Sequence, residues 1–221
     1  MKTLYLVRHG KAEERNTDKP DYKRELIERG ENDVLRVAER VHEKGVVPSL
    51  IISSPAPRAL ATAKMFAQQL HYPTNKIRSR KVIYNQPDGT LLGIVHTIDD
   101  LYENVMLVGH DPAMTNFAWF LTDDFEEYLP TSSIVGISFD TDAWREVNEG
   151  IGTLIFFYSP EQIKRETTIT KKNLENKLTE QISTLLMELD TEAAEQMKKP
   201  LKKSSKKIVK KFVKKLSKVR S

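Results

Sequence analysis

Residues 3–10, near the start of the chain, have the sequence TLYLVRHG, and this stretch decides the fold. Its first five residues are apolar or β-branched and have the length of a buried strand. A guanidinium (Arg8), an imidazole (His9) and a residue without a side chain (Gly10) follow at once. Glycine allows a backbone to come close to a ligand. We therefore predict a buried first strand that ends in a functional loop.

The pattern that begins here continues over residues 1–159, which we predict to be one domain. Short apolar runs alternate with segments of helical spacing. Strands are predicted at 3–7, 49–53, 77–84, 105–108, 134–139 and 153–158, and helices at 25–44, 58–70, 91–101 and 112–121. This alternation is typical of a mainly parallel sheet with helices on both faces. The predicted fold class is α/β, a three-layer sandwich.

Chemically capable side chains follow three of the predicted strands. Arg8 and His9 follow the first strand, Arg58 begins the helix after the second, and His110 follows the strand at 105–108. Ligands of parallel sheets bind at the carboxyl ends of the strands. If the sheet is parallel, these side chains lie along one edge and converge on one ligand.

This set of residues has a chemistry that fits a phosphoryl group. An imidazole whose attacking nitrogen is unprotonated is a nucleophile towards phosphorus. Arginine offers paired donors that suit phosphoryl oxygens, and cations there stabilise the charge that develops as phosphorus is attacked. Because side chains supply the positive charge, we expect neither a metal nor a cofactor.

Each residue alone also has an ordinary structural explanation. His9 could be a satisfied structural histidine, Arg58 a residue of a helix surface, and His110 part of a turn. Their joint occurrence at three strand ends favours a functional site. The other histidines fall in helical stretches, where a structural role is favoured: His42, His71 and His96.

Several segments together resemble the histidine phosphatase superfamily. They are LVRHG at 6–10, SSP at 53–55 with RA at 58–59 and TA at 62–63, and VGHDP at 108–112. The segment DYKRELIERG at 21–30 is similar to one in the short branch typified by the phosphohistidine phosphatase SixA. The resemblance implies a phosphoglycerate mutase-like fold in which His9 accepts the phosphoryl group. Arg8, Arg58 and His110 would complete the pocket, with Gly10 against the phosphate.

One departure from the family pattern concerns the proton donor. Many members carry a glutamate after the third strand or an Asp after the second histidine, but residues 83–88 (IYNQPD) contain no glutamate. Asp111 follows His110 as a possible proton donor, yet Asp before Pro is a common turn former, and we favour the turn.

The absence of a glutamate proton donor narrows the class of substrate. An alkoxide leaving group needs general-acid help, whereas the imidazole of phosphohistidine needs less. We therefore predict a SixA-like phosphatase for phosphorylated protein. The alternatives are a phosphatase for small phosphate esters, and a phosphate-binding adaptor anchored by the basic tail.

Basic and acidic residues are distributed unevenly along the chain. Residues 198–221 hold twelve Lys or Arg and no acid, whereas the rest holds 23 basic and 31 acidic side chains, a balance of −8. The absence of cysteine excludes disulfides and thiolate nucleophiles. We interpret the first residues as a strand rather than a signal peptide, and no run of ~18 apolar residues could span a membrane. We therefore expect a cytoplasmic protein. The basic tail is a candidate for peripheral membrane contact.

Residues 160–221 form a predicted helical extension. The apolar spacing over 161–197 indicates one long amphipathic helix or two, interrupted at Pro200, with a Lys-rich tail from 198. The tail could be solvated, or bind an anionic membrane, an acidic partner or nucleic acid. Only Phe212 of the tail could stack on a base, so the sequence disfavours nucleic acid as a partner.

Overall fold

A computed structural model describes residues 1–15, 19–84, 90–189 and 191–219. It divides into two compact units, residues 1–163 and 164–221. Residues 85–88, where the sequence lacks the family's glutamate, lie outside the described residues. The domain boundary between residues 159 and 160 stays a prediction made from the sequence pattern.

The strands of the first unit form one six-stranded sheet in the order β3-β2-β4-β1-β5-β6. Within the described residues they are β1 (Lys2–Arg8), β2 (Leu50–Ser53), β3 (Arg78–Ser79), β4 (Asn104–Gly109), β5 (Ile134–Phe139) and β6 (Thr153–Tyr158). β1, β2, β3 and β4 are mutually parallel, and β5 is antiparallel to both of its neighbours.

Within the first unit, helices cover both faces of this sheet. The described helices are α1 (Glu28–Glu43), α2 (Pro57–Gln69), α3 (Thr90–His96), α4 (Ala113–Leu121), α5 (Pro160–Leu189) and α6 (Thr191–Val219). The apolar side of α1 follows from its spacing: Val34, Val37, Ala38 and Val41 are buried and recur at helical intervals.

The alternation of side chains along β1 separates two hydrophobic cores. Leu4 and Leu6 belong to the core that also contains residues of α3 and α4. Tyr5 and Val7 belong to the core that contains residues of α1 and α2. Successive residues of a strand point to opposite faces, so one apolar strand fills both cores. The predicted three-layer α/β sandwich is confirmed.

The predicted strand at 77–84 is wrong for most of its length. Strand pairing is limited to Arg78 and Ser79, and a short 3-10 turn, Lys81–Ile83, replaces the rest. β3 is the edge strand beside the four-residue β2, which offers few backbone partners. Only Ile83 of the turn is buried, so the segment lacks the alternating apolar face that would hold a longer strand against the core.

The second unit consists of most of α5 and all of α6. The predicted interruption at Pro200 is wrong, because α6 begins at Thr191 and runs through Pro200. A proline removes one backbone donor, and this helix continues through that loss. Among the described residues no helix is long and apolar enough to cross a membrane.

Candidate active site

Neighbouring strand ends bring the two histidines together. β1 and β4 are paired in parallel with Arg8 opposite Gly109, so His9 and His110 each follow the last residue of their strand. Their ring centroids are 4.9 Å apart, with the rings tilted by 59°. The parallel register alone therefore places both imidazoles at the carboxyl edge of the sheet, where open α/β sheets bind ligands.

The hydrogen bonds of His9 define which nitrogen is available for attack. Nδ1 lies 2.7 Å from the carbonyl oxygen of Gly10, which can only accept, so Nδ1 carries the proton. Nε2 then carries the lone pair, and it accepts from Nε of Arg58 at 3.2 Å. Burial, together with the charges of Arg58 and Arg8, lowers the pKa of His9 to about 4. The ring is therefore neutral at pH 7, as a nucleophile requires.

Arg58 is fixed through all three of its nitrogens. It lies in the first turn of α2 with its side chain buried. Besides the bond from Nε to His9, Nη1 donates to the carbonyl oxygen of Asp21 at 2.7 Å and Nη2 to its carboxylate at 3.0 Å. The planar fork of arginine makes these simultaneous contacts possible. Asp21 therefore sets the orientation in which Arg58 faces the nucleophile.

Gly10 has a packing reason for its lack of a side chain. A Cβ there would come within 2.8 Å of Val34 and 2.9 Å of Leu26, closer than real Cβ atoms approach. Its N–H donates to Thr62 Oγ1 at 3.0 Å, and the Thr62 hydroxyl donates to the carbonyl of Arg58. These hydrogen bonds hold the loop after β1 against α2. The direct contact between Gly10 and phosphate stays a prediction.

His110 is half-buried beside His9, with Nε2 2.8 Å from the hydroxyl oxygen of Ser54. Burial, with the neighbouring His9 and Arg58, lowers the pKa of His110 to about 3. Within the part of the chain that the structure describes, Nδ1 of His110 and Nε of Arg8 are buried without a hydrogen-bond partner. Unpaired buried polar atoms are costly, so a hydrogen-bond partner supplied by a ligand would stabilise either atom.

Asp111 lies in an ion pair rather than free in the pocket. Its Oδ2 accepts from Nη1 of Arg8 at 3.2 Å, and its Oδ1 accepts from the Thr115 hydroxyl at 2.8 Å. The same Nη1 donates to the carbonyl of Leu129 at 2.7 Å. The Asp111 side chain is only 6% exposed. These contacts support a role in orienting Arg8.

We expect Asp111→Asn to lower kcat/KM by about 10-fold or less, because the amide keeps the shape but loses the charge that holds Arg8. The loss should be equal for substrates whose leaving groups have low and high pKa. The measurement is kcat/KM on an aryl and an alkyl phosphate. A much larger loss on the alkyl phosphate would instead identify Asp111 as the proton donor.

Sequence reasoning gave no role to four residues that the structure places in this site: Asp21, Arg24, Ser54 and Tyr84. Asp21 accepts hydrogen bonds from Arg24, Arg58 and Tyr84, and Ser54 contacts His110. Burial would raise the pKa of Asp21, but the hydrogen bonds from Arg24 and Tyr84 and the charge of Arg58 lower it to about 2. The spacing of Asp21 and Arg24 was a visible signal, since both belong to the segment that resembles the SixA-like branch.

The described residues contain no group of three or more His, Asp or Glu side chains placed to hold a metal ion. The charged groups around His9 are instead guanidinium groups, those of Arg8, Arg58 and Arg24. Such a pocket suits an anion with several oxygens.

Comparison with known proteins agrees with this geometry. Residues 4–79 match the family model of the histidine phosphatase superfamily (branch 1), a stretch that contains Arg8, His9 and Arg58. A search of curated protein sequences found no match.

Solved structures share the fold. The protein histidine phosphatase SixA complexed with tungstate is 20% identical, with a TM-score of 0.61 over 73% of this chain and 99% of the other. A putative phosphohistidine phosphatase SixA from Agrobacterium tumefaciens is 25% identical, with a TM-score of 0.61 over 72% and 98%. One from Nakamurella multipartitia is 18% identical, with a TM-score of 0.60 over 72% and 96%.

Proposed function

We propose that this chain, which belongs to the histidine phosphatase superfamily, is a metal-independent phosphatase that carries the phosphoryl group on His9. One observation carries the proposal furthest: the unprotonated Nε2 of His9 accepts from Arg58 while Gly10 holds the proton on Nδ1. A neutral imidazole with a fixed tautomer, surrounded by guanidinium groups, is prepared to attack an anionic phosphorus centre.

The proposed reaction has two displacements at phosphorus. In the first, the Nε2 lone pair of His9 forms a bond to phosphorus, and the bond to the leaving atom breaks with its electron pair going to that atom. In the second, water attacks phospho-His9, the P–N bond returns its electrons to Nε2, and the water's protons go to phosphate and solvent. Arg8, Arg58 and His110 stabilise the phosphoryl oxygens in both steps.

Phosphohistidine is the substrate that these residues support best. Asp111, the acid next to His110, is engaged by Arg8 and Thr115, which makes it a poor proton donor. A leaving imidazole needs little help from an acid, in contrast to a leaving alkoxide. We therefore propose a SixA-like phosphatase acting on phosphohistidine in protein.

The test is a side-by-side assay of a phosphohistidine protein, a phosphoserine peptide and a sugar phosphate, each with and without EDTA. We expect the highest kcat/KM on phosphohistidine and no effect of EDTA. A higher kcat/KM on the sugar phosphate would favour a small-molecule phosphatase. Phosphate binding without turnover of any substrate would favour an adaptor. Activity lost to EDTA and restored by a metal would overturn the metal-free mechanism.

For the second unit we propose that α6 binds an anionic membrane surface. A stripe formed by Leu201, Ser205 and Val209 is already buried, so the apolar side of this part of α6 is not free. The lysines of the helix are exposed over the opposite half of its circumference: Lys199, Lys202, Lys203, Lys206, Lys207, Lys210, Lys211 and Lys214. Ile208 and Phe212, one turn apart, are 51% and 52% exposed. By helical spacing Ile208 lies between the lysine half and the buried stripe, and Phe212 continues the line of that stripe. Exposed cations beside exposed apolar groups fit the lipid interface.

We expect the double charge reversal Lys207→Glu with Lys211→Glu to weaken binding to phosphatidylserine-containing vesicles by at least ~30-fold, from about 1 kcal/mol for each lysine near the surface. By helical spacing, Lys207 and Lys211 lie closer to Ile208 than Lys202 and Lys206 do. The matched control, Lys202→Glu with Lys206→Glu, changes the charge equally and should weaken binding less. The measurement is co-sedimentation at low salt.

Neutral phosphatidylcholine vesicles and high salt should both abolish this binding. Equal losses from the two double variants would contradict a preferred lipid-facing side. Failure of the unaltered protein to sediment with anionic vesicles, or tighter binding to duplex DNA, would overturn the membrane proposal.

A further inference from the structure

A row of four aromatic rings leads from the nucleophile to the protein surface. The His9 and His110 centroids are 4.9 Å apart, those of His110 and Tyr84 5.3 Å, and those of Tyr84 and Tyr22 5.0 Å. The last two pairs are edge-to-face, at 86° and 88°. Tyr22, at the outer end, is 39% exposed. The row therefore connects the nucleophile to the protein surface at Tyr22.

Tyr22 is exposed and yet fixed in position. Its hydroxyl donates to the carbonyl oxygen of Pro55 at 3.3 Å, and its ring packs edge-to-face with that of Tyr84. Tyr84 is itself fixed, because its hydroxyl donates to Asp21 at 3.1 Å and the guanidinium carbon of Arg58 lies 5.8 Å from its ring centroid. An exposed ring held at both ends is pre-organised for stacking, with little conformational entropy left to lose.

The chemistry of the site places a leaving group near these rings. In an in-line displacement the leaving atom lies on the side of phosphorus opposite the nucleophile. With Nε2 of His9 attacking from the buried end, the leaving group points outwards. The outward end of the ring row is Tyr22.

We propose that Tyr22 determines specificity by stacking on a flat leaving group, and so selects the imidazole of phosphohistidine over the alkyl chain of phosphoserine. The proposal rests on the phosphatase function proposed above. Tyr84 is the positioning residue, since it holds both Tyr22 and Asp21. Aromatic pairs of this kind are worth about 3- to 10-fold in a rate or binding constant.

The test uses Tyr22→Leu and Tyr22→Phe in the full chain. Variants of Tyr84 are less informative, because its hydroxyl also holds Asp21. Tyr22→Leu should lower kcat/KM on a phosphohistidine peptide by ~3- to 10-fold, mainly through KM, and leave a phosphoserine peptide of the same sequence unchanged. Tyr22→Phe keeps the ring and should retain most of the preference. Tyr128→Leu, which removes a 59% exposed tyrosine that packs on Trp119, is the control.

The outcomes separate this inference from the proposed function. Equal losses on both peptides, or none on either, would overturn the role of Tyr22 while leaving the phosphatase intact. Turnover of no phosphorylated substrate by the unaltered protein would overturn the proposed function itself. A loss on phosphotyrosine peptide similar to that on phosphohistidine would show selection of any flat ring, and a loss on phosphotyrosine alone would contradict selection of imidazole.

Discussion

We expect the His9→Ala variant to lose at least ~10⁴-fold in turnover, the scale on which removing a catalytic nucleophile acts. The fold should survive, because alanine leaves the paired strands β1 and β4 unchanged. Nε2 of His9 accepts from Arg58 and Nδ1 is held by Gly10, and neither contact belongs to the ladder of the sheet. The measurements are steady-state turnover of an aryl phosphate and circular dichroism of both proteins.

The matched control for this variant is His42→Ala. His42 is an exposed histidine of α1 whose ring packs on that of His71. Its removal should leave turnover within about twofold, as is usual for surface substitutions. Full activity in folded His9→Ala protein would exclude His9 as the phosphoryl acceptor.

The second large effect concerns Arg58. We expect Arg58→Ala to lower kcat by at least ~100-fold, because one charge-stabilising group is lost from a phosphoryl site. His110→Ala should cost a similar factor for the same reason. Arg58→Lys should recover little, since a single ammonium cannot replace the three nitrogens that contact His9 and Asp21.

Arg58 is 3% exposed, so its removal also affects packing. Arg58→Met keeps most of the volume without the charge and should be as inactive as Arg58→Ala. Thermal unfolding of each variant separates a damaged fold from a damaged site. A folded Arg58→Met protein with unimpaired kcat would remove Arg58 from the proposed mechanism.

Much of the fold was predictable because its signals are local. The apolar run before Arg8 and the similar run at 105–108 each fill one strand, and both strands are central in the sheet. The parallel register then brings His9 beside His110 with no further information. The sequence predicted this convergence because a single rule about strand ends connects distant residues.

The supporting contacts were not predictable in the same way. Asp21 reaches Arg58 and Tyr84 across 37 and 63 positions of the chain, and nothing in the local spacing shows such pairs. The strand predicted at 77–84 is wrong because its pairing depends on the length of the neighbouring strand. Pro200 lies within a helix although proline is the least favourable residue in a helix interior, so the local preference at this position is overridden by the rest of the helix.

The central claim, that His9 carries the phosphoryl group, is tested most directly by trapping the intermediate. The enzyme is mixed with a phosphorylated substrate, quenched in alkali during turnover, and digested, and the phosphate is located by peptide mapping. Our account predicts acid-labile, base-stable phosphate on the peptide that contains His9, and none in His9→Ala. Turnover at the full rate with no phosphate on His9, or with phosphate on His110 instead, would contradict it.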